Sequence, residues 1–165
     1  MMGARLARLA ALVGSALVLA ACSAALRGVP WKPDLDALEE RAQRHEAIHT
    51  QASVELDEFL ALIDQGAIVI DARSPKEFEH GHLAAWETIV LNVPGDEAEQ
   101  HVPRLAQYVG NMFVIYCTSA TCDASAYVYD ALVAGGFDPA DIVIYGPGWE
   151  GILAAGLETA SGPEA

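Results

Sequence analysis

Four short apolar runs alternate with stretches of helical periodicity along most of this chain. Residues 67–71 (Ala-Ile-Val-Ile-Asp), 88–93, 112–116 and 142–145 are nearly continuous in hydrophobicity, the pattern of strands covered on both faces. Between them the period changes. Leu56, Phe59, Leu60 and Ile63 share one helical face over 56–65, and Gly66 closes that helix. Further helices are predicted over 97–109, with a kink at Pro103, over 123–134, ended by Gly135-Gly136, and over 149–155. Strands that alternate with helices predict the α/β class, a central parallel sheet with helices on both faces. Upstream, Asp34 or Asp36 is placed to cap a helix reaching about Thr50, with Leu35, Leu38, Ala42, His45 and Ile48 at 3–4 spacing. Packing on the main domain is its expected use, ahead of binding a partner helix. Residues 158–165 are rich in Gly, Pro and Glu and are expected to fray. The boundaries read as a tether and amphipathic helix over 22–51, a main domain over 52–158 and a flexible tail over 159–165.

The first 21 residues carry a different signal. Arg5 and Arg8 lie in a short basic start, and residues 9–21 are uncharged, as in an export signal. The run is shorter than the roughly 20 residues of a bilayer span. It ends Leu19-Ala20-Ala21-Cys22-Ser23, which resembles a bacterial lipobox. The resemblance implies cleavage before Cys22, lipidation of that cysteine and anchoring to the cell membrane or outer membrane, facing the periplasm or exterior. Ser23, in place of Asp, resembles the pattern sorted to the outer membrane. An ordinary cleaved signal peptide and a retained apolar helix over 9–26 are the alternatives. Residues 23–33, with Pro30 and Pro33, read as a tether.

Charge narrows the partners. Nine Lys and Arg stand against 23 Asp and Glu, a formal charge of −14, and loss of Arg5 and Arg8 with the leader takes it to −16. Such a surface argues against nucleic acid and against long-range steering of small anions. With Cys22 acylated, Cys117 and Cys122 are the remaining thiols, and an exported protein meets a disulfide-permissive compartment.

The chemistry centres on Cys117. It follows the apolar run 112–116 and is succeeded by Thr118, Ser119, Ala120, Thr121, Cys122 and Asp123 before a predicted helix. Unpaired amides and the dipole at a helix start favour an anion, so a thiol there ionises more readily, or a persulfide is held. The plain alternative is a buried structural cysteine.

The surrounding residues weigh against that alternative. Residues 68–83 read Ile-Val-Ile-Asp71-Ala-Arg73-Ser-Pro-Lys-Glu77-Phe-Glu-His-Gly-His82-Leu. Leu91-Asn92-Val93-Pro94, Val114-Ile115-Tyr116-Cys117, Gly146-Pro147-Gly148-Trp149-Glu150 and Ala155-Gly156-Leu157 follow in order. Over roughly 53–157 the chain resembles the rhodanese-homology family. The resemblance implies a rhodanese-like fold in which Cys117 carries sulfane sulfur as a persulfide, cradled by backbone amides from Thr118 to Asp123. A sulfane-sulfur donor and a thiol acceptor are the implied partners, with no metal or organic cofactor; the oligomeric state is left open. Asp71, Arg73, Glu77, His82 and Trp149 are its structural signature. Arg73 and Glu77 are expected to pair across a turn, His80 and His82 to flank a tight turn without a metal, and Trp149 to roof the sheet edge near the loop.

Two departures matter. Many active members have Gly where this chain has Ala120, and a basic residue near the loop end. Ala120 tolerates positive φ poorly, which predicts a different loop shape. The loop has no cation, and Asp123, expected as the helix N-cap, opposes a nearby thiolate. A low-molecular-weight persulfide or a protein donor therefore fits better than thiosulfate. Related phosphatases use Cys-x5-Arg, and Asp123 at the sixth position excludes that activity. Cys122 has three readings: a resolving thiol for Cys117, a partner in a resting disulfide, or a buried bystander. The rival functions are thiol–disulfide exchange by the Cys117/Cys122 pair and a catalytically inactive binding module.

Overall fold

Five parallel strands form the centre of the computed structural model, which describes residues 34–84 and 88–163. The leader, Cys22 and the tether lie outside the described residues. In chain order the elements are α1 (Leu35–Ala52), β1 (Ser53–Val54), α2 (Leu56–Asp64), β2 (Ile68–Asp71), α3 (Pro75–His80), β3 (His82–Leu83), β4 (Val90–Asn92), α4 (Ala98–Leu105), β5 (Phe113–Tyr116), α5 (Ala124–Ala134), β6 (Ile142–Tyr145), α6 (Gly148–Ala154) and β7 (Thr159–Ala160). The sheet order is β1-β6-β5-β2-β4.

Side-chain alternation on the strands builds two cores. Ile68 and Ile70 of β2, Phe113 and Ile115 of β5 and Ile142 and Ile144 of β6 face one layer with Leu105, Val128 and Leu132. Val69, Val114, Tyr116 and Tyr145 face the other with Phe59, Phe78 and Ile152. Helices therefore cover both faces, as the continuous apolar runs required.

The chain divides into two compact units, Met1–Glu40 and Arg41–Ala165. In the first, Asp34 caps α1, its Oδ1 accepting from the Ala37 amide at 3.2 Å. Of the expected α1 face only His45 and Ile48, in the second unit, are buried; Leu35, Leu38 and Ala42 are exposed.

Three expectations need correction. The stretch 97–109 is not one helix: 3₁₀ turns at Gly95–Glu97 and Ala106–Tyr108 flank an α4 that contains Pro103. The tail is not free from its start, because β7 pairs antiparallel with β3, and the Gly162 amide donates to Glu79 O at 2.9 Å. A fifth strand, β1, joins the sheet beside β6.

Candidate active site

Parallel strands bring their carboxyl ends to one edge, and loops there are natural sites. Cys117 stands at that edge, immediately after β5. Its side chain shares the face of Ile115 and is 3% exposed. The Cys117 and Cys122 sulfurs are bonded, with Cα atoms 6.1 Å apart. This is the pairing that two of the three readings of Cys122 require. The Cys122 amide donates to Ser119 O at 3.1 Å, so it is committed within the loop.

The loop is fixed from the far side by α6. The Trp149 amide donates to Cys117 O at 2.7 Å and the Glu150 amide to Thr118 O at 3.1 Å. In a trans peptide the N–H points opposite the carbonyl, so the Thr118 and Ser119 amides face away from α6. Gly148 allows the close approach. At its φ of +64° an added Cβ would stand 2.6 Å from Cys117 O and 2.9 Å from Ser119 N.

Asp123 does not cap α5. Its backbone is helical (φ −75°, ψ −13°), outside the extended geometry that lets a cap side chain reach the next amides. Its Oδ1 instead lies 3.6 Å from Nδ1 of buried His45 on α1. Among the described residues no non-glycine adopts positive φ, so the loop passes Ala120 without one.

On the opposite face a buried polar group anchors the site. Arg73 does not pair with Glu77. Its Nε and Nη2 donate to Asp71 at 3.0 and 2.5 Å, and Nη2 also donates to Gly81 O at 2.7 Å. Glu77 is the third residue of α3 and closes a capping box with Ser74, whose amide donates to it at 3.2 Å. The physical reason is burial: Asp71 is fully enclosed and needs the cation, whereas Ser74 and Glu77 are exposed. Desolvation opposes the Arg73 charge, yet hydrogen bonding to and attraction by Asp71 raise its pKa further. Tyr116, opposite Asp71 in the β2–β5 register, donates its hydroxyl to Asp71 at 2.7 Å. Burial first, and then the Asp71 charge, push this phenol well above its ordinary range. The Trp149 ring covers Arg73, with the guanidinium carbon 4.3 Å from the ring centroid. His82 stacks on Phe78 at 3.8 Å and donates from Nδ1 to Phe78 O, while His80 donates to Lys76 O. Each is a local tie of α3.

Beside the loop a groove of about 520 Å³ is walled by Lys76, Glu77 and His80 of α3, by Thr118 and by Trp149 over Arg73. Lys76 of α3 thus brings a cation to the groove beside the loop, in addition to Arg73, which is committed to Asp71. Sequence reasoning missed Lys76, along with the Tyr116 hydroxyl and Gly148. The readable signals were the Gly146-Pro147-Gly148 turn and the Ser74-x-x-Glu77 box.

The sequence pattern of the rhodanese-like domain matches residues 55–155. The chain belongs to the rhodanese-like domain family. Solved structures agree in fold. A Bacillus halodurans protein is 19% identical with a TM-score of 0.55, covering 74% of this chain and 86% of its own. A full-length Lactobacillus plantarum protein is 14% identical at TM-score 0.54, covering 76% and 98%. A rhodanese-related protein of Thermoplasma volcanium is 20% identical at TM-score 0.52, covering 66% and 97%. No curated protein matches the chain. In this rhodanese-like domain the loop holds a second cysteine and no Lys or Arg, and Lys76 of α3 borders the groove beside it.

Proposed function

We propose that this rhodanese-like domain is a sulfurtransferase that carries sulfane sulfur as a persulfide on Cys117. The observation that carries the reading is the seat of Cys117. It lies at the carboxyl end of β5, in a loop whose carbonyls bind α6 and whose Thr118 and Ser119 amides are turned the other way. Those amides, with the start of α5, suit an anionic sulfur. The reaction needs no cofactor: the Cys117 thiolate takes the outer sulfur from a donor, and a thiol acceptor removes it. A low-molecular-weight or protein persulfide is the favoured donor, given the formal charge of −14. Export and lipid anchoring through Cys22 belong to the same reading, supported by the basic, then uncharged, leader.

Intact mass of the reduced protein, after exposure to thiosulfate or to glutathione persulfide, tests this. One added sulfur mapped to Cys117, lost in Cys117→Ser, is expected. No added sulfur with any donor defeats it. The bonded cysteines favour a second reading, thiol–disulfide exchange. It requires that Cys117→Ser and Cys122→Ser both abolish disulfide exchange with a dithiol.

A further inference from the structure

The two sulfurs of the loop are placed to do more than rest as a disulfide. We propose that Cys122 discharges a sulfane sulfur from Cys117 as hydrosulfide, so that the protein reduces sulfane sulfur at the expense of a dithiol. The inference rests on the persulfide proposed for Cys117.

Position selects which sulfur is attacked. Cys122 is joined to Cys117 Sγ itself, and this bond is the product of attack on the inner sulfur of a Cys117 persulfide. Attack on the outer sulfur would move the sulfane atom onto Cys122 and leave no bond between the two side chains. Access points the same way. Cys117 is 3% exposed, so an external thiol meets the outer sulfur first, whereas Cys122, partly buried, packs against the core cluster that holds Cys117. Four intervening residues hold Cys122 at an effective concentration of millimolar or above, on the order expected for short tethers.

The step balances. Cys122 gives up its proton and its sulfur attacks Cys117 Sγ. The Cys117–Cys122 bond forms as the bond to the outer sulfur breaks. That sulfur leaves with the electron pair and takes a proton, as hydrosulfide. The sulfane atom gains two electrons and the two cysteines lose them. Hydrogen sulfide is more acidic than an alkyl thiol, which makes hydrosulfide the better leaving group. Return to the dithiol needs an external dithiol, which exchanges twice and departs as its own disulfide.

The test uses the full chain, reduced, freed of reductant and exposed to glutathione persulfide without oxygen, beside Cys122→Ser. Hydrosulfide is measured together with intact mass and peptide maps. Wild type is expected to release one hydrosulfide per chain and to finish two hydrogens lighter, with Cys117 linked to Cys122. Once donor and liberated glutathione are removed by rapid desalting, Cys122→Ser keeps the added sulfur on Cys117 and releases none until a thiol is supplied. The inference is overturned if wild type retains its persulfide as long as the variant does, or if the added sulfur maps to Cys122. If Cys122→Ser takes up no sulfur, the persulfide reading itself fails and takes this step with it.

Discussion

The Trp149 amide is bonded to the Cys117 carbonyl oxygen at 2.7 Å, so the turn that opens α6 also fixes the start of the reactive loop. This makes Gly148 the tightest point of the site. Gly148 and Gly156 share nearly the same φ, +64° and +67°, but a Cβ at Gly156 meets nothing within 4 Å. Gly156→Ala should therefore lose about 1 kcal/mol for backbone conformation alone. Gly148→Ala should lose more in urea unfolding, and should also change the rate at which reduced Cys117 is alkylated. Equal losses for the two, with unchanged alkylation, would separate the glycine from the loop.

Arg73→Ala leaves Asp71 buried without its cation. A loss of about 3–5 kcal/mol is expected by chemical denaturation. Arg73→Lys should recover little, because a point charge replaces a fork that reaches both Asp71 oxygens and Gly81 O.

Tyr116 gives a sign that pH can read. Its folded-state pKa is raised by burial and by Asp71. An unfolded phenol ionises from about pH 10. Above that the unfolded chain holds fewer protons, so this contribution is whole below about pH 10 and falls as pH rises further. Tyr116→Phe should cost about 1–3 kcal/mol at pH 7 through the lost bond to Asp71. Urea midpoints should show the gap to wild type constant up to about pH 9 and narrowing above pH 10. Tyr145, also raised by burial and the charge of Glu55, should leave some alkaline slope in the variant.

On α1, packing should outweigh charge. Arg44 donates to Asp130 at 2.6 Å, but Arg44 is exposed. A double-mutant cycle on that pair should give at most about 1 kcal/mol. Ile48→Ala should cost about 2–5 kcal/mol. The reverse ranking would mean that α1 is held by its ion pair.

Much of the sheet was legible because β2, β5 and β6 are runs of apolar residues with no polar break before their ends. β1, β3 and β7 are two residues each, too short for a period to show, and their pairing is decided by residues far along the chain. α3 has six residues and begins on Pro75, so its signature was its cap and not a hydrophobic stripe. The nucleophile was legible from its position after a strand. Its fixation was not, because the Arg73 partner is chosen by the burial of Asp71, and the loop is held by backbone bonds that Gly148 alone permits. Asp123 misled for a related reason: its residue type suits a cap, but its backbone is already helical.

The pairing of His82 with Ala160 has a consequence for the order in which the protein is made. The nucleophile and its loop precede Thr159–Ala160 in the chain. The short ribbon that seats His82 at the end of α3 waits for those late residues. A nascent chain can thus possess its reactive cysteines while the α3 wall of the groove lacks its last support. Thiol chemistry before that moment would act on an unfinished site, which favours keeping the pair reduced until β7 has joined β3.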